Sequence, residues 1–287
     1  MENIFALSRN KKAIIKKTIN KVLLTVILLF LSYLFLFPFL WMLSSSLKTE
    51  KEMFTFPIKW IPSEFRWDNY KNAWEIGRFG VYYKNSIKVS LIVTFGQVFT
   101  SVMAAYAFAK INFKGRDVIF LGYLGTMMIP FQVVMIPQFM IFKNLNLVDT
   151  HWALILPGMF SAFGTFLLRQ FFLGIPDELC EAARIDGCSD LCILFVIMVP
   201  LALPAMATLA IFTLRWTWND FLAPLIYINN KNLKTIPLGL AQFKMENITL
   251  YTLIMAGAII AVLPIIIVYI FAQKFFVKGI AMSGIKG

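Results

Sequence analysis

The sequence is poor in the side chains that perform chemistry in soluble proteins. Charged residues make up 15% of its 287 positions, whereas soluble domains have about 25%. No stretch matches a Walker phosphate loop, an H-E-x-x-H zinc motif or a G-x-S-x-G nucleophile elbow. The only histidine, His151, stands beside Trp152, and a lone histidine there is more often an interfacial aromatic than a catalyst. These absences predict no catalytic centre and no bound cofactor in this chain.

Cysteine is also scarce, and its pattern argues against two further kinds of site. The three cysteines are Cys180, Cys188 and Cys192. An odd number is unlike a disulfide framework, and structural zinc needs four ligands, commonly with histidine among them. We therefore expect ordinary small buried thiols and no metal site.

Apolar residues, in contrast, are abundant at 59% of the chain, with 29 phenylalanines. A bilayer core about 30 Å thick requires about 20 largely apolar residues in a spanning helix. Because lipid offers backbone polar groups no partner, each such segment is expected to be helical. The sequence therefore predicts an all-α membrane protein with a six-helix domain over 22–273. Its spans are predicted at 22–43, 86–109, 117–142, 151–172, 191–214 and 251–273.

Basic residues are concentrated before the first apolar segment. The tail 1–21 holds six lysines and arginines against one acid, Glu2. A net charge of +12 would suggest nucleic acid as a partner of a soluble protein, but a basic run beside an apolar segment more often sets topology. We therefore predict that the N-terminus is cytoplasmic and that six spans return the tail 274–287 to the same side. The first apolar run exceeds a signal-peptide core, so we expect it to be retained.

The predicted spans contain both helix breakers and polar side chains. Internal prolines kink helices and free a carbonyl group; they are Pro130, Pro137, Pro157, Pro200, Pro204 and Pro264. Polar residues inside spans either face a pathway or bond to a partner helix, and the second role is the commoner. Gln97, Ser101 and Gln132 are such residues and are candidates for a pathway. Trp218, Asn219 and Asp220, near the outer end of the fifth span, are candidates for an external gate.

The loop 174–190, between the fourth and fifth spans, is unexpectedly acidic. It holds five acids against one base, Arg184, although basic residues are favoured on the cytoplasmic side where we place it. Pro176 fits the first turn of a short helix, Gly187 fits its left-handed terminator, and Ser189 is suited to cap the next helix. An isolated helix this short is marginal in water. It therefore docks either on a partner or on its own bundle, and the residues alone favour neither.

The same loop resembles a known motif. Glu181, Ala182 and Ala183, followed by Gly187, Ile197 and Pro200 at the family's spacing, are similar to the EAA loop of importer-type ABC transporter permeases. Valine at 199 replaces the family's usual leucine. The likeness covers nearly the whole chain and points to the carbohydrate-importer branch, in particular the shorter membrane subunit of maltose-type systems. Its other motifs are Asn85-Ser86, 104–109, 127–130, 169–172, 184–187, 218–221, 255–257 and 284–287.

The resemblance implies a type I ABC importer permease fold in the inner membrane of a bacterium or archaeon. It implies a second, related permease, two copies of an ATPase that uses ATP and Mg, and an extracytoplasmic solute-binding protein. The EAA helix would be the coupling helix that contacts the ATPase. Carried over onto this chain, the coupling positions are Glu181, Ala182, Ala183, Asp186 and Gly187, with Arg184 and Ile185 beside them and Pro200 beyond.

The substrate class follows from the resemblance and leaves alternatives. We expect a sugar or oligosaccharide. A glycerol phosphodiester, a polyol or an osmolyte remains an alternative within the same family. An ATP-independent secondary transporter is less favoured, because no carboxylate lies convincingly deep in a span. A membrane-embedded enzyme would need clustered histidines or acids inside the bundle, which the sequence lacks.

Overall fold

The computed structural model describes residues 2–243 and 250–284, and these residues form helices without strands. The final residues of the terminal motif, 285–287, lie outside the described part. The α-helices, in chain order, are α1 (Glu2–Ser46), α2 (Glu50–Met53), α3 (Asp68–Ile76), α4 (Phe79–Lys110), α5 (Arg116–Gly125), α6 (Phe131–Asn144), α7 (Trp152–Gly158), α8 (Ala162–Leu173), α9 (Asp177–Ile185), α10 (Asp190–Cys192), α11 (Val199–Trp218), α12 (Leu222–Tyr227), α13 (Ile236–Gln242) and α14 (Tyr251–Gly284). A 3-10 turn, Thr126–Met128, follows α5, and a π-helical turn, Ile193–Met198, joins α10 to α11.

Five passages in the described residues are long and apolar enough to cross a membrane. Each overlaps one predicted span, and the passage built from α7 and α8 is interrupted near Pro157. The five passages are Lys16–Ser46, Phe79–Lys110, Trp152–Leu173, Asp190–Trp218 and Tyr251–Phe271.

The remaining predicted span, 117–142, is a broken helix. Arg116–Met128 and Phe131–Asn144 meet at an angle of 99°. Ile129 and Pro130, which separate them, are both extended, with ψ of 113° and 141°. Proline has no amide hydrogen and forces the residue before it out of the helical region. A kink at Pro130 was expected, and a bend of this size is that of either a broken span or a re-entrant loop.

Helix α4 is the central element of the bundle and packs against α8 and α11. Small residues allow the close approach: a Cβ atom at Gly164 in α8 would lie 2.5 Å from Ser101 Oγ in α4. The last residues of α4 lie beside α9, and its first residues lie beside α3. We refer to these two ends of the bundle as the α9 end and the α3 end.

Helix α1 lies apart from the central packing. None of its most apolar window is buried, and its main helical partner is α14. A hydrogen-bonded clamp joins α2, the short helix that follows α1, to α14 at the α3 end. Glu50 Oε1 accepts from the Thr252 amide at 2.8 Å and from the Thr252 hydroxyl at 2.6 Å. The flank of α1 is therefore available to lipid or to another subunit.

Candidate functional site

Helix α9 has the local structure that its sequence predicts. Gly187 has φ of +86°, and the amides of Gly187 and Cys188 donate to the carbonyls of Arg184 at 3.0 Å and Ala183 at 2.9 Å. This pair of bonds is a Schellman motif, which satisfies the last carbonyls of a helix. The Ser189 hydroxyl accepts from the Cys192 amide at 3.3 Å, as predicted for a cap. Pro176 stands one position earlier than expected, at the N-cap.

The two faces of α9 have different environments. Cys180 and Ala183 are buried in a core cluster that includes Met198 from the π-helical turn. The opposite face is exposed, and on it the apolar side chain of Ile185 is 87% accessible. Glu181, Ala182, Arg184, Asp186 and Gly187 are also exposed. Ala183 therefore lies on the face that contacts the chain's own bundle, whereas the other predicted coupling positions of this loop are accessible to a partner.

The N-terminal end of α9 is attached to the end of α4 by Lys110. Its Nζ donates to the Ile175 carbonyl at 2.7 Å and to Asp177 Oδ1 at 2.5 Å. The lysine side chain is only 4% exposed, whereas that of Asp177 is 76% exposed. The hydrogen bond and the positive charge of Lys110 lower the pKa of Asp177 below its usual value. Both partners of the lysine lie at the start of α9, so this end of the helix is held against α4 and is expected to move with it.

The C-terminal end of α9 is attached to α4 through the start of α10. Arg184 Nη2 donates to Asp190 Oδ1 at 3.0 Å, and the Tyr106 hydroxyl donates to the same oxygen at 3.3 Å. The hydrogen bond to Asp190 raises the pKa of the Arg184 guanidinium further. Tyr106 and Lys110 are one helical turn apart on α4. One face of α4 thus holds both ends of α9.

Arg169 connects the neighbouring elements at this end of the bundle. Its Nε donates to the Phe108 carbonyl at 3.1 Å, its Nη2 lies 3.4 Å from Asp117 Oδ1, and its guanidinium stands 4.1 Å from the centre of the Phe120 ring. The arginine side chain is 14% exposed. Helices α4, α5 and α8 therefore share one cation beside the point where α9 is attached.

Sequence reasoning missed these attachment residues. Tyr106 and Arg169 entered the sequence analysis only as members of the family motifs 104–109 and 169–172, and Lys110 was given no role there. Lys110 is separated from Asp177 by 67 positions in the chain, so no local pattern indicates the pair. The only local signal is the unusual acidity of the loop, which implies that some cation must lie opposite it.

Pro200 lies within the passage that follows α9 and not on α9 itself. It is exposed and occupies the first turn of α11, directly after the π-helical turn. Because proline donates no backbone hydrogen bond, it interrupts the bonding of this segment where the wider π turn ends. Turns of this kind inside helices occur frequently at functional sites.

The pathway and gate candidates are dispersed in the structure. Gln97 is half-buried in α4, Gln132 is exposed in the first turn of α6, and Ser101 is fully buried where α4 crosses α8. Ser101 therefore lies at a helix crossing, but its buried hydroxyl has no hydrogen-bond partner among the described residues, so it does not make the bond to a partner helix weighed above. Gln97 and Ser101 are one helical turn apart on α4, whereas Gln132 lies on α6.

The other three gate candidates form the end of α11 and the start of α12. Trp218 is buried, and its Nε1 donates to the Ala261 carbonyl of α14 at 3.1 Å. The exposed Asn219 donates to the Arg215 carbonyl at 2.8 Å. Asp220 Oδ1 accepts from the Ala223 amide at 3.3 Å, and burial raises the pKa of this carboxyl group. These contacts give all three residues a local structural role at the α3 end.

Comparison with known proteins identifies a family and several relatives of the chain. A family model described as "Binding-protein-dependent transport system inner membrane component" matches residues 96–282. The chain is 36% identical to the arabinooligosaccharides transport system permease protein AraQ of Halalkalibacterium halodurans, over 92% of this chain and 96% of that one. It is 38% identical to the probable ABC transporter permease protein YurM of Bacillus subtilis, over 88% and 84%. It is 34% identical to the sn-glycerol-3-phosphate transport system permease protein UgpE of Pectobacterium atrosepticum, over 81% and 86%.

Solved structures share the fold. A bacterial ABC transporter involved in the import of the acidic polysaccharide alginate aligns with a TM-score of 0.80 and 24% identity, over 90% of this chain and 96% of that one. A bacterial alginate ABC transporter in complex with an alginate pentasaccharide-bound periplasmic protein aligns with a TM-score of 0.63 and 16% identity, over 89% and 92%.

Proposed function

The chain belongs to the family of binding-protein-dependent transport system inner membrane components, and we propose that it is the membrane-spanning permease of an ATP-driven importer of sugars or oligosaccharides. The family match covers the part of the chain that contains α9 and the passages on both sides of it. The relative whose name includes arabinooligosaccharides supports the carbohydrate substrate. We assign ATP hydrolysis to another subunit, because the chain's sequence has no Walker phosphate loop.

The observation behind the coupling proposal is the two-sided arrangement of α9. One face is packed on the bundle through Cys180 and Ala183, both ends are attached to α4, and the other face presents Glu181 and Ile185 without cover. An exposed aliphatic side chain beside an acid on a short, rigidly held helix is suited to seat in a cleft of another protein. We assign this exposed face to the separate ATPase, which binds ATP and Mg itself.

The attachments explain how movement would be transmitted. When ATP draws two ATPase subunits together, α9 moves with the subunit on which it is docked. Lys110 and the Tyr106–Asp190–Arg184 contacts then transmit the displacement to α4 and to the passage that begins at α10. The arrangement of the ATPase subunits that binds ATP more tightly is thereby coupled to one orientation of the bundle. The prolines and the π-helical turn provide places where that passage can bend.

The complete importer in this proposal has four kinds of subunit in a bacterial or archaeal inner membrane. They are this chain, a second related permease, two copies of the ATPase and an extracytoplasmic solute-binding protein; the alginate transporter solved with a periplasmic protein is a relative in fold that has such a partner. The α9 end faces the cytoplasm, where the ATPase is, and both termini lie on that side. The basic tail 1–21 supports this orientation. Gln97 and Gln132 remain our candidates for the solute pathway.

The coupling proposal is tested by reversing the charge of Glu181. We expect Glu181→Lys to insert normally but to lose both co-purification of the ATPase and uptake, because a cation replaces the acid on the docking face. Glu75→Lys is the matched control, since Glu75 is an exposed acid in α3 at the opposite end. Retained ATPase binding with fully coupled hydrolysis in Glu181→Lys would exclude Glu181 from the contact.

The names of two relatives favour a second substrate class. The UgpE relative is named for sn-glycerol-3-phosphate, and the 34% identical SmoH of Agrobacterium fabrum is named for sulfoquinovosyl glycerol. The two classes are distinguished by purifying the importer with its solute-binding protein and measuring ligand binding. If the solute-binding protein binds arabino-oligosaccharides but not sn-glycerol-3-phosphate, the result supports our proposal. If it binds sn-glycerol-3-phosphate but not arabino-oligosaccharides, the result supports the glycerol class.

A further inference from the structure

Tryptophan is confined to one end of the bundle. All seven tryptophans of the chain stand where a passage begins or ends at the α3 end, or in the connection between α1 and α4. They are Trp41 near the end of α1, Trp60, Trp67 and Trp74 in the connection, Trp152 at the start of α7, and Trp216 and Trp218 at the end of α11. Trp218 is buried, whereas Trp216 is 80% exposed. Tryptophan belts normally mark both surfaces of a membrane, so this distribution is one-sided.

The loop 54–61 lies across the α1 and α14 helices at this end. The Trp60 ring meets the rings of Phe37 and Trp41 edge-on, with centroids 5.1 Å and 5.3 Å apart. Phe54 makes the same kind of contact with Tyr251, at 5.2 Å. The loop therefore folds back along the helices and does not project away from the bundle.

The register along α1 sets the depth of the loop. The apolar run of α1 ends near residue 43, so Phe37 and Trp41 precede its end by roughly 9 Å and 3 Å at about 1.5 Å per residue. The Trp60 ring, which touches both, lies at the level where hydrocarbon gives way to headgroups. Indole rings are enriched at this depth because one edge is polar and the remainder is apolar.

The side chains around Trp60 point outward and are apolar. Phe56 is 92% exposed, Ile61 is 75% exposed and Ile58 is 54% exposed. The backbone between them is irregular. Its unpaired peptide groups need water, which the hydrocarbon core does not offer, so the loop does not lie in that core. Apolar side chains on a hydrated backbone fit the boundary between acyl chains and headgroups. The exposed Lys59, whose Nζ donates to Ser63 Oγ at 3.0 Å, adds a positive charge of the kind that lipid phosphates attract.

From these observations we propose that loop 54–61 is a membrane-interface anchor, inserted by Phe56, Ile58, Trp60 and Ile61 into the leaflet at the α3 end. Lipid is the occupant because the exposed tryptophans lie on several flanks, on the α1 connection, α7 and α11. A protein partner covers one flank of a bundle, whereas a bilayer surrounds all of them. The described α9 end has no tryptophan, so the leaflet at the α3 end fixes the height of the bundle in the membrane.

Spin labels test the anchor in the assembled importer in lipid nanodiscs. A nitroxide is attached through Phe56→Cys in a chain whose three cysteines are replaced by serine. Collisions with oxygen, which concentrates in lipid, are compared with collisions with a water-soluble nickel chelate. Leu34→Cys on the exposed flank of α1 is the lipid control, and Glu64→Cys in the same connection is the water control.

We expect the label at 56 to collide with oxygen several-fold more readily than with nickel, as the label at 34 does. Nickel access equal to that at 64, or shielding from both reagents as under a protein, overturns the proposal. A photo-reactive phenylalanine at 56 in the chain with its cysteines intact provides an independent measurement. A lipid adduct supports the anchor; a protein adduct, or no lipid adduct when position 34 gives one, overturns it.

Discussion

At the scale of single residues, Gly187 shows how one backbone angle determines the shape of a docking element. Its φ of +86° belongs to the left-handed region, yet an added Cβ would have no atom within 4 Å. The requirement for glycine is therefore conformational and not steric. Because the Schellman motif depends on this angle, a residue that resists it shifts the end of α9 and the start of the following passage.

The glycine requirement gives a prediction that separates shape from bulk. Gly187→Val costs about 1–2 kcal/mol, the usual penalty for a residue with a Cβ in this region, and lowers uptake while the chain still inserts. Gly187→Asn is the control, since asparagine tolerates the left-handed region. Uptake and membrane level are measured for both. Normal uptake in the valine variant would mean that the cap does not position α9.

Lys110 allows the attachment of α9 to be tested by removing one cation. In Lys110→Met the Ile175 carbonyl and Asp177 lose their hydrogen bonds, at a net cost of about 1 kcal/mol. We expect more ATP to be hydrolysed for each solute imported, because α9 no longer moves with α4. Lys114→Met, which removes an exposed lysine from the neighbouring loop, is the control. Equal coupling ratios in both variants would contradict transmission through Lys110.

The same pair predicts how the protein responds to acid. Lys110 lowers the folded-state pKa of Asp177, so the stabilisation is fully present above the unfolded pKa of about 4 and is lost as the pH falls through the lower, folded value. Melting temperatures of the purified chain between pH 7 and pH 3 measure this loss. Asp177→Asn should melt lower at neutral pH and show a smaller decrease on acidification. A decrease as large as that of the unmodified chain would exclude this carboxylate as a contributor.

At the scale of elements, local chemistry was predictable and long-range contacts were not. The cap residues of α9 lie within a few positions of their partners, so Gly187 and Ser189 were identified from the sequence alone. Pro130 indicated a kink, but the 99° bend depends on how the two halves pack. The burial of Ala183 follows from the position of the π-helical turn beside it, which no sequence pattern specifies.

At the scale of the whole molecule, the two ends of the bundle have different tasks. The α3 end contains the tryptophans, the clamp between Glu50 and Thr252, and the loop 54–61. The α9 end contains the charged attachments and the exposed docking face. In our proposals the first end is held by lipid and the second is moved by the ATPase. If both proposals hold, the bundle turns about its α3 end.

The anchor predicts a loss of stability that depends on the bilayer. Phe56→Ser combined with Ile61→Ser removes two exposed apolar side chains, so it should lower the melting temperature in nanodiscs by about 2–4 °C for each kcal/mol lost. In detergent the effect should be smaller, because micelles adapt to the altered loop. Lys71→Ser, at an exposed position of α3 in the same connection, is the control. An equal decrease in both media would indicate an internal role for these side chains.

The packing of α1 on α14, closed by the clamp from α2, also bears on the order in which the molecule is completed during synthesis. Glu50 and Thr252 are 202 positions apart, which corresponds to roughly 10–40 s of translation at about 5–20 residues per second. For that time the first helix is in the membrane while its main partner is still unmade. A polypeptide released early lacks α14 and leaves α1 single, a state by which cellular proteolysis can distinguish an unfinished chain from a finished one.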